Sequence, residues 1–199
     1  MSALKKNNKL LPVGIFTLAY LIISALFSLQ SANWEFAYYI AVVIILMAAV
    51  IAVHLHVNLS QGVLWALSIW GLLHMMGGLM PIPEGLPFNG DKAVFYSLWI
   101  IPDYLKYDHL IHAYGFGTAT WVCWEALRRT LKITKPSGGV LVAIVLIGLG
   151  LGAVNEIVEF IAVLLIPNTN VGGYINTGWD LISNSVGCIV AAALIKYRS

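Results

Sequence analysis

Six side chains able to hold a metal ion or move a proton recur at helical spacing in this chain of 199 residues: His74, Asp108, His112, Glu156, Glu159 and Asp180. Asp108 and His112 are four apart, as are Asp180 and Asn184. Residues four apart on an α-helix stack one turn above the next. Glu156 and Glu159 form a third set about one turn apart, and each set runs on into small residues. Gly115 and Ala119 follow His112, Gly187 and Ala191 follow Asn184, Gly148 and Gly152 precede Glu156, and Gly71, Gly77 and Gly78 surround His74. Small residues let helices approach closely in lipid, so these stripes are expected to face one another.

Charge balance then limits the chemistry. If Asp108, Glu156, Glu159 and Asp180 were all ionised, four negative charges would share a poorly solvated volume with at most Lys106 nearby, an arrangement that is not tenable unaided. Either some carboxyl groups hold protons, or a cation sits among them, and His with Asp/Glu is a ligand set for Zn²⁺, Mn²⁺ or Fe²⁺. In a metal site His74 and His112 would be neutral ligands. Asp108, Asp180 and one of Glu156 and Glu159 would be anionic ligands, with the other glutamate a general base and Asn184 orienting a ligand. His109, rotated about 100° from Asp108 on a helix, is expected to support the site from behind or to face a loop. Two other readings stay open: hydrogen bonding between helices that only holds the bundle, and passage of protons or ions.

The remaining polar residues call for less. His54 and His56 are expected at an interface, and Glu125 beside Arg128 and Arg129 as a helix-surface ion pair. Gly148-x-Gly150-x-Gly152 lacks the strand and turn of a dinucleotide site and reads as helix packing.

The elements that must position these groups follow from composition. The chain is 60% apolar and 10% charged, against roughly 25% charge in a soluble domain, which excludes a water-soluble globule. Its apolar residues come in runs of about 20, the length that crosses a bilayer as a helix. The expected fold is an all-α, polytopic bundle forming a single transmembrane domain over 1–199. Six spans are expected near 10–29, 36–56, 61–80, 106–127, 139–166 and 175–195. The first run follows Lys5, Lys6 and Lys9 but lacks a convincing cleavage site, so it reads as a retained helix. Pro81, Pro83, Pro87, Asn89-Gly90 and Pro102 make 81–105 the one long loop.

Orientation follows from the Lys/Arg bias of short loops. With the N-terminus inside, Lys5, Lys6, Lys9, Arg128, Arg129, Lys132, Lys135, Lys196 and Arg198 fall on the cytoplasmic side and only Lys92 and Lys106 outside. Both termini are then cytoplasmic, the 81–105 loop is extracytoplasmic, and the polar cluster lies within roughly 15 Å of the outer boundary. The net charge of +2 does not suggest nucleic acid, and Cys123 and Cys188, each inside an apolar run, offer no disulfide framework.

The ordered motifs carry a resemblance. His74-Met-Met-Gly77-Gly78, Tyr107-Asp108-x-x-x-His112-x-x-Gly115, Asn155-Glu156-x-x-Glu159 and Thr177-Gly-Trp179-Asp180-x-x-x-Asn184-x-x-Gly187 together resemble the YjdF-like family of bacterial inner-membrane proteins. The second half is also similar to the VanZ-like group. Where such families often carry Gln or Asp before the Trp-Asp pair, this chain has Asn176, Thr177 and Gly178. The resemblance implies a multi-pass protein of the bacterial cytoplasmic membrane, with VanZ-like members linked to glycopeptide resistance and envelope physiology. It supplies no reaction.

These observations together point to a metal-dependent hydrolase or envelope factor acting on a lipid-linked substrate among membrane lipids. The alternatives are a transporter or proton-linked module, or a purely structural polar network. A lipid phosphatase is disfavoured, because Lys92 and Lys106 are the only cations on the expected outer side, whereas phosphoryl sites concentrate positive charge.

Overall fold

The structure is a computed structural model that describes residues 2–198, with side chains from residue 10 onward. Lys5, Lys6 and Lys9, counted in the charge bias, therefore lie outside the described side chains. Six α-helices follow in order: α1 (Ser2–Gln30), α2 (Trp34–Val57), α3 (Gln61–Leu79), α4 (Tyr107–Thr130), α5 (Gly138–Leu165) and α6 (Tyr174–Tyr197). The starts of α2, α3 and α5 are set by side-chain caps. Asn33 Oδ1 accepts from Phe36 N at 3.2 Å, Ser60 Oγ from Val63 N at 3.3 Å, and Ser137 Oγ from Val140 N at 3.3 Å. Each cap satisfies a backbone donor that the first helical turn cannot. Pro81 and Pro167 follow shortly after α3 and α5, where a residue without an N–H cannot continue the helix.

Five of the helices are long and apolar enough to cross a membrane, one fewer than the six spans expected. The difference is α4, which is 24 residues long but holds Asp108, His109 and His112 in its first two turns and Glu125, Arg128 and Arg129 near its end. Its place in the bundle explains how it tolerates them. It packs against α3, α5 and α6 and touches α2, so its polar face meets protein rather than surroundings. The outer faces are the reverse. Ile45, Leu146, Ile157, Phe160, Leu164 and Ile189 are all exposed, as lipid-facing residues would be.

The closest packing joins α4 to α6. A methyl group added at Gly187 would overlap the backbone carbonyl of Ala113, so only glycine allows the two helices this approach. At Gly152 of α5 an added carbon would lie 2.9 Å from Asn184 Nδ2. The stripes of α4, α5 and α6 thus meet as expected at Gly148, Gly152 and Gly187, whereas Gly115 meets Trp70 and Gly71, Gly77 and Gly78 meet Tyr20, Tyr96 and Phe36. Toward the other end of these three helices the interior is apolar, built from Trp124, Ile144, Ala192 and Ile195.

The 81–105 segment is more ordered than a plain loop. It contains a 3-10 turn (Phe95–Ser97) and a short antiparallel hairpin, β1 (Trp99–Ile101) with β2 (Leu105–Lys106), among the described residues the one departure from an all-α chain. Asp103, at φ 64°, takes the left-handed conformation in its turn. The segment is tied to both neighbouring loops. Lys92 Nζ reaches Glu35 Oε2 at 2.9 Å, Glu35 accepts from the backbone N of Asn170 at 3.0 Å, and Asn170 reaches Ser97 Oγ at 3.2 Å. These ties fold the segment over one end of the bundle.

Two residues at the opposite end differ from expectation. Glu125 is buried rather than on the helix surface: its Oε2 accepts from Ser60 N at 2.6 Å, and its contact with Arg129 is the longer one at 3.9 Å. The carboxylate caps the start of α3, and Arg129 holds the carbonyls of Val57 and Asn58 in the turn before it. His54 is fully buried rather than interfacial, whereas His56 is exposed.

Candidate functional site

His112 is the centre of the site. One turn above it on α4, Asp108 Oδ1 lies 3.5 Å from its Nε2, and Glu159 Oε1 of α5 and Asp180 Oδ1 of α6 each lie 3.9 Å from the same nitrogen. The other ring nitrogen has different company. His112 Nδ1 donates to Asn184 Oδ1 at 3.0 Å, with Glu156 Oε1 at 3.8 Å. An imidazole whose Nδ1 carries the proton keeps its lone pair on Nε2. That lone pair points among three carboxyl groups.

The separations are too long for hydrogen bonds and suit a shared partner. Ligand atoms about 2.1 Å from one divalent ion lie roughly 3 to 4 Å apart, depending on angle. Asp108, His112 and Asp180 offer one ligand atom each within 4.8 Å of one another, and so do His112, Glu156 and Glu159. The cluster is buried: Asp180 is 1% exposed and Asn184 fully buried. Asp180 Oδ1, both carboxyl oxygens of Glu156 and Asn184 Nδ2 are buried with no hydrogen-bond partner. Unpartnered buried oxygens are costly, and here they converge on one histidine.

Two asparagines that sequence reasoning gave no role complete the cluster. Asn176 Nδ2 donates to Asp180 Oδ2 at 2.7 Å and lies 3.3 Å from Asp108 Oδ2, bridging α6 to α4, while its Oδ1 accepts from Lys106 Nζ at 3.1 Å. Asn155 Nδ2 donates to Glu159 Oε1 at 2.8 Å. Both stand four residues before the carboxylate they hold, the same spacing that marked Asp108 with His112. That signal was present in the sequence.

His74 and His109 fall outside this constellation. His74 belongs to no group of ligand atoms within 4.8 Å; its Nδ1 is bonded to the Tyr96 hydroxyl, and its ring stacks on Trp70 at 5.3 Å between centroids. It lines the same small cavity as Asp108, His112 and Glu159. Removal from water, reinforced by the negative field of Asp108 and Glu159, pushes the Tyr96 hydroxyl well above its ordinary pKa, so it stays a proton donor. His109 turns away, its Nδ1 accepting from Lys106 N at 3.3 Å and its ring stacked on Trp179. It shapes the start of α4 instead of orienting a ligand.

The chain matches a family model for predicted membrane proteins, DUF2238, over residues 10–199. It belongs to that family. No curated protein and no solved structure matches it. The family description names a membrane protein and no activity, so any chemistry has to be argued from the His112 cluster.

Proposed function

We propose that this DUF2238 protein binds one divalent metal ion at His112 and uses it to hydrolyse a lipid-linked substrate in a bacterial cytoplasmic membrane. The supporting observation is the lone pair of His112 Nε2 facing Asp108, Glu159 and Asp180. Those four residues would hold the ion, a donor set suited to Mn²⁺, Fe²⁺ or Zn²⁺. Such an ion would act as a Lewis acid on the bond to be cleaved.

The chain's own residues do the rest. Glu156 faces the opposite edge of the ring and engages neither of its oxygens in a hydrogen bond, which leaves it to take the proton from attacking water. Asn184 fixes the imidazole tautomer through Nδ1, and Asn155 and Asn176 hold Glu159 and Asp180 in place. The adjoining cavity of about 40 Å³ admits on the order of one water, and His74 and Tyr96 line it as well. The apolar helix exteriors give a lipid-anchored substrate its approach.

Metal analysis of protein purified without chelator tests the reading. About one bound ion per chain is expected, with affinity depending on deprotonated ligands. Absence of metal from protein that retains its fold overturns it, and proton flux in vesicles that is lost in Glu156→Gln would replace it with ion passage.

A further inference from the structure

The small cavity at His112 leaves no room for the body of a substrate, which has to lie elsewhere. A second cavity of about 630 Å³ lies beneath the 81–105 segment and shares Tyr96, Asp108 and Asn170 with the first. Asp108 thus borders both, linking a space large enough for a substrate head to the cluster itself.

The walls of this second cavity select by charge. Asp91, Asp103 and Asp108 line it against a single cation, Lys106. Even with Asp108 committed to the proposed ion, Asp91 and Asp103 outnumber Lys106 and disfavour a phosphate or sulfate head. Lys106 is already engaged, with Nζ on Asn176 and 5.4 Å over the Trp99 ring, and its charge opposes a quaternary ammonium at that ring. The acceptor and aromatic lining suits a neutral polar group: Asn89 and the two exposed aspartates offer acceptors for hydroxyl groups, and two indoles offer apolar faces. Lys106 steadies Trp99, and His109 stacks on Trp179 at 5.9 Å, so both rings are fixed where they line the space.

We propose that this cavity binds the neutral, polyhydroxylated head of the substrate, a sugar or polyol, between Trp99 and Trp179, with Asp91, Asp103 and Asn89 on its hydroxyls. The bond joining that head to its lipid anchor would then lie beside Asp108, where water adds its hydroxyl to one fragment and its proton to the other. The inference rests on the hydrolytic reading of the His112 cluster and names its substrate class.

Binding of methyl β-glucoside, inorganic phosphate and phosphocholine to the full chain in lipid nanodiscs tests it, followed by ligand-observed NMR with metal content measured on the same samples. Saturable, millimolar glucoside binding is expected, weakened about tenfold in Trp179→Ala and in Asp103→Asn. Both residues are exposed, so neither change threatens the fold, and metal content should match the parent protein. No saturable glucoside binding, equal binding in the two variants, or preference for phosphate or phosphocholine overturns the inference. Metal without glucoside binding refutes the sugar pocket alone; glucoside binding without metal refutes the metal reading and leaves the pocket standing.

Discussion

Asn184 Oδ1 accepts a hydrogen bond from His112 Nδ1 at 3.0 Å, and this contact between α6 and α4 decides which imidazole nitrogen faces the carboxylates. Without the amide, the ring is free to turn or to take the other tautomer. Asn184→Ala should therefore weaken metal affinity on the order of 10 to 100-fold, the usual effect of losing a partner that orients a ligand. His112→Ala should abolish binding, because it removes the nitrogen that Asp108, Glu159 and Asp180 all face. Titration of the chelator-stripped variants with Mn²⁺ or Zn²⁺ gives both affinities, and an Asn184→Ala protein that binds as tightly as the parent would show that the amide does not orient the ring.

Asp180→Asn separates a metal site from a structural network. In a network the amide still hydrogen-bonds, and interhelical contacts of this kind average only ~0.6 kcal/mol, so the variant would keep the parent's stability with or without chelator. As an anionic ligand, Asp180 should instead give a variant that binds metal poorly and melts at the temperature of the chelator-treated parent. Thermal unfolding in detergent with and without chelator reads the difference.

The bundle was legible because its signals are periodic. Spans read as 36–56 and 61–80 are the helices Trp34–Val57 and Gln61–Leu79, and the i, i+4 stripes placed Asp108, His112, Glu156, Glu159, Asp180 and Asn184 together. What the sequence concealed lies where no period operates. Tyr96, Asn170 and Lys92 reach their partners from loops, across separations of 22, 135 and 57 residues. His74 has such a partner too, the loop residue Tyr96 on its Nδ1. Glu125 looked like a surface ion pair because Arg129 is four residues away, and only the fold brings the Ser60 backbone nearer.

Gly187 tests the close approach of α4 and α6. Because a side chain there would meet the Ala113 backbone rather than a movable side chain, Gly187→Leu must push the helices apart. Overpacking of this kind costs about 1–3 kcal/mol or more. It should lower the melting temperature and, by moving Asp180 and Asn184 away from His112, also reduce bound metal. Gly150→Leu is the control, since an added carbon at Gly150 meets nothing within 4 Å.

Glu35 ties the folded 81–105 segment to the bundle through Lys92 and the backbone of Asn170. Glu35→Ala leaves the Asn170 N–H without its acceptor, a loss on the order of 1–3 kcal/mol for a buried group, whereas Glu35→Gln retains a carbonyl oxygen for it. Limited proteolysis between Pro81 and Lys106 should therefore be fast in Glu35→Ala, slower in Glu35→Gln and slowest in the parent. Equal rates would mean that the hairpin and the 3-10 turn hold the segment without Glu35.

Topology turns on whether α4 crosses the membrane. Only five helices are apolar enough by themselves, and five crossings would put the two termini on opposite sides, whereas six put them on the same side. The packing of α4 against α3, α5 and α6 covers its polar face with protein, which lets a helix of its length cross despite Asp108 and His112. The bias of Lys and Arg toward 128–135 and 196–198 then sets the direction. Reporters fused after Ser199, inserted in 128–135 and attached at the N-terminus should all read cytoplasmic, and one in 84–91 should read extracytoplasmic. Such readings place His112 and both cavities in the leaflet facing the envelope, within reach of substrates assembled there. Termini on opposite sides would take α4 out of the membrane, and with it the argument that His112 works in a buried, lipid-flanked site.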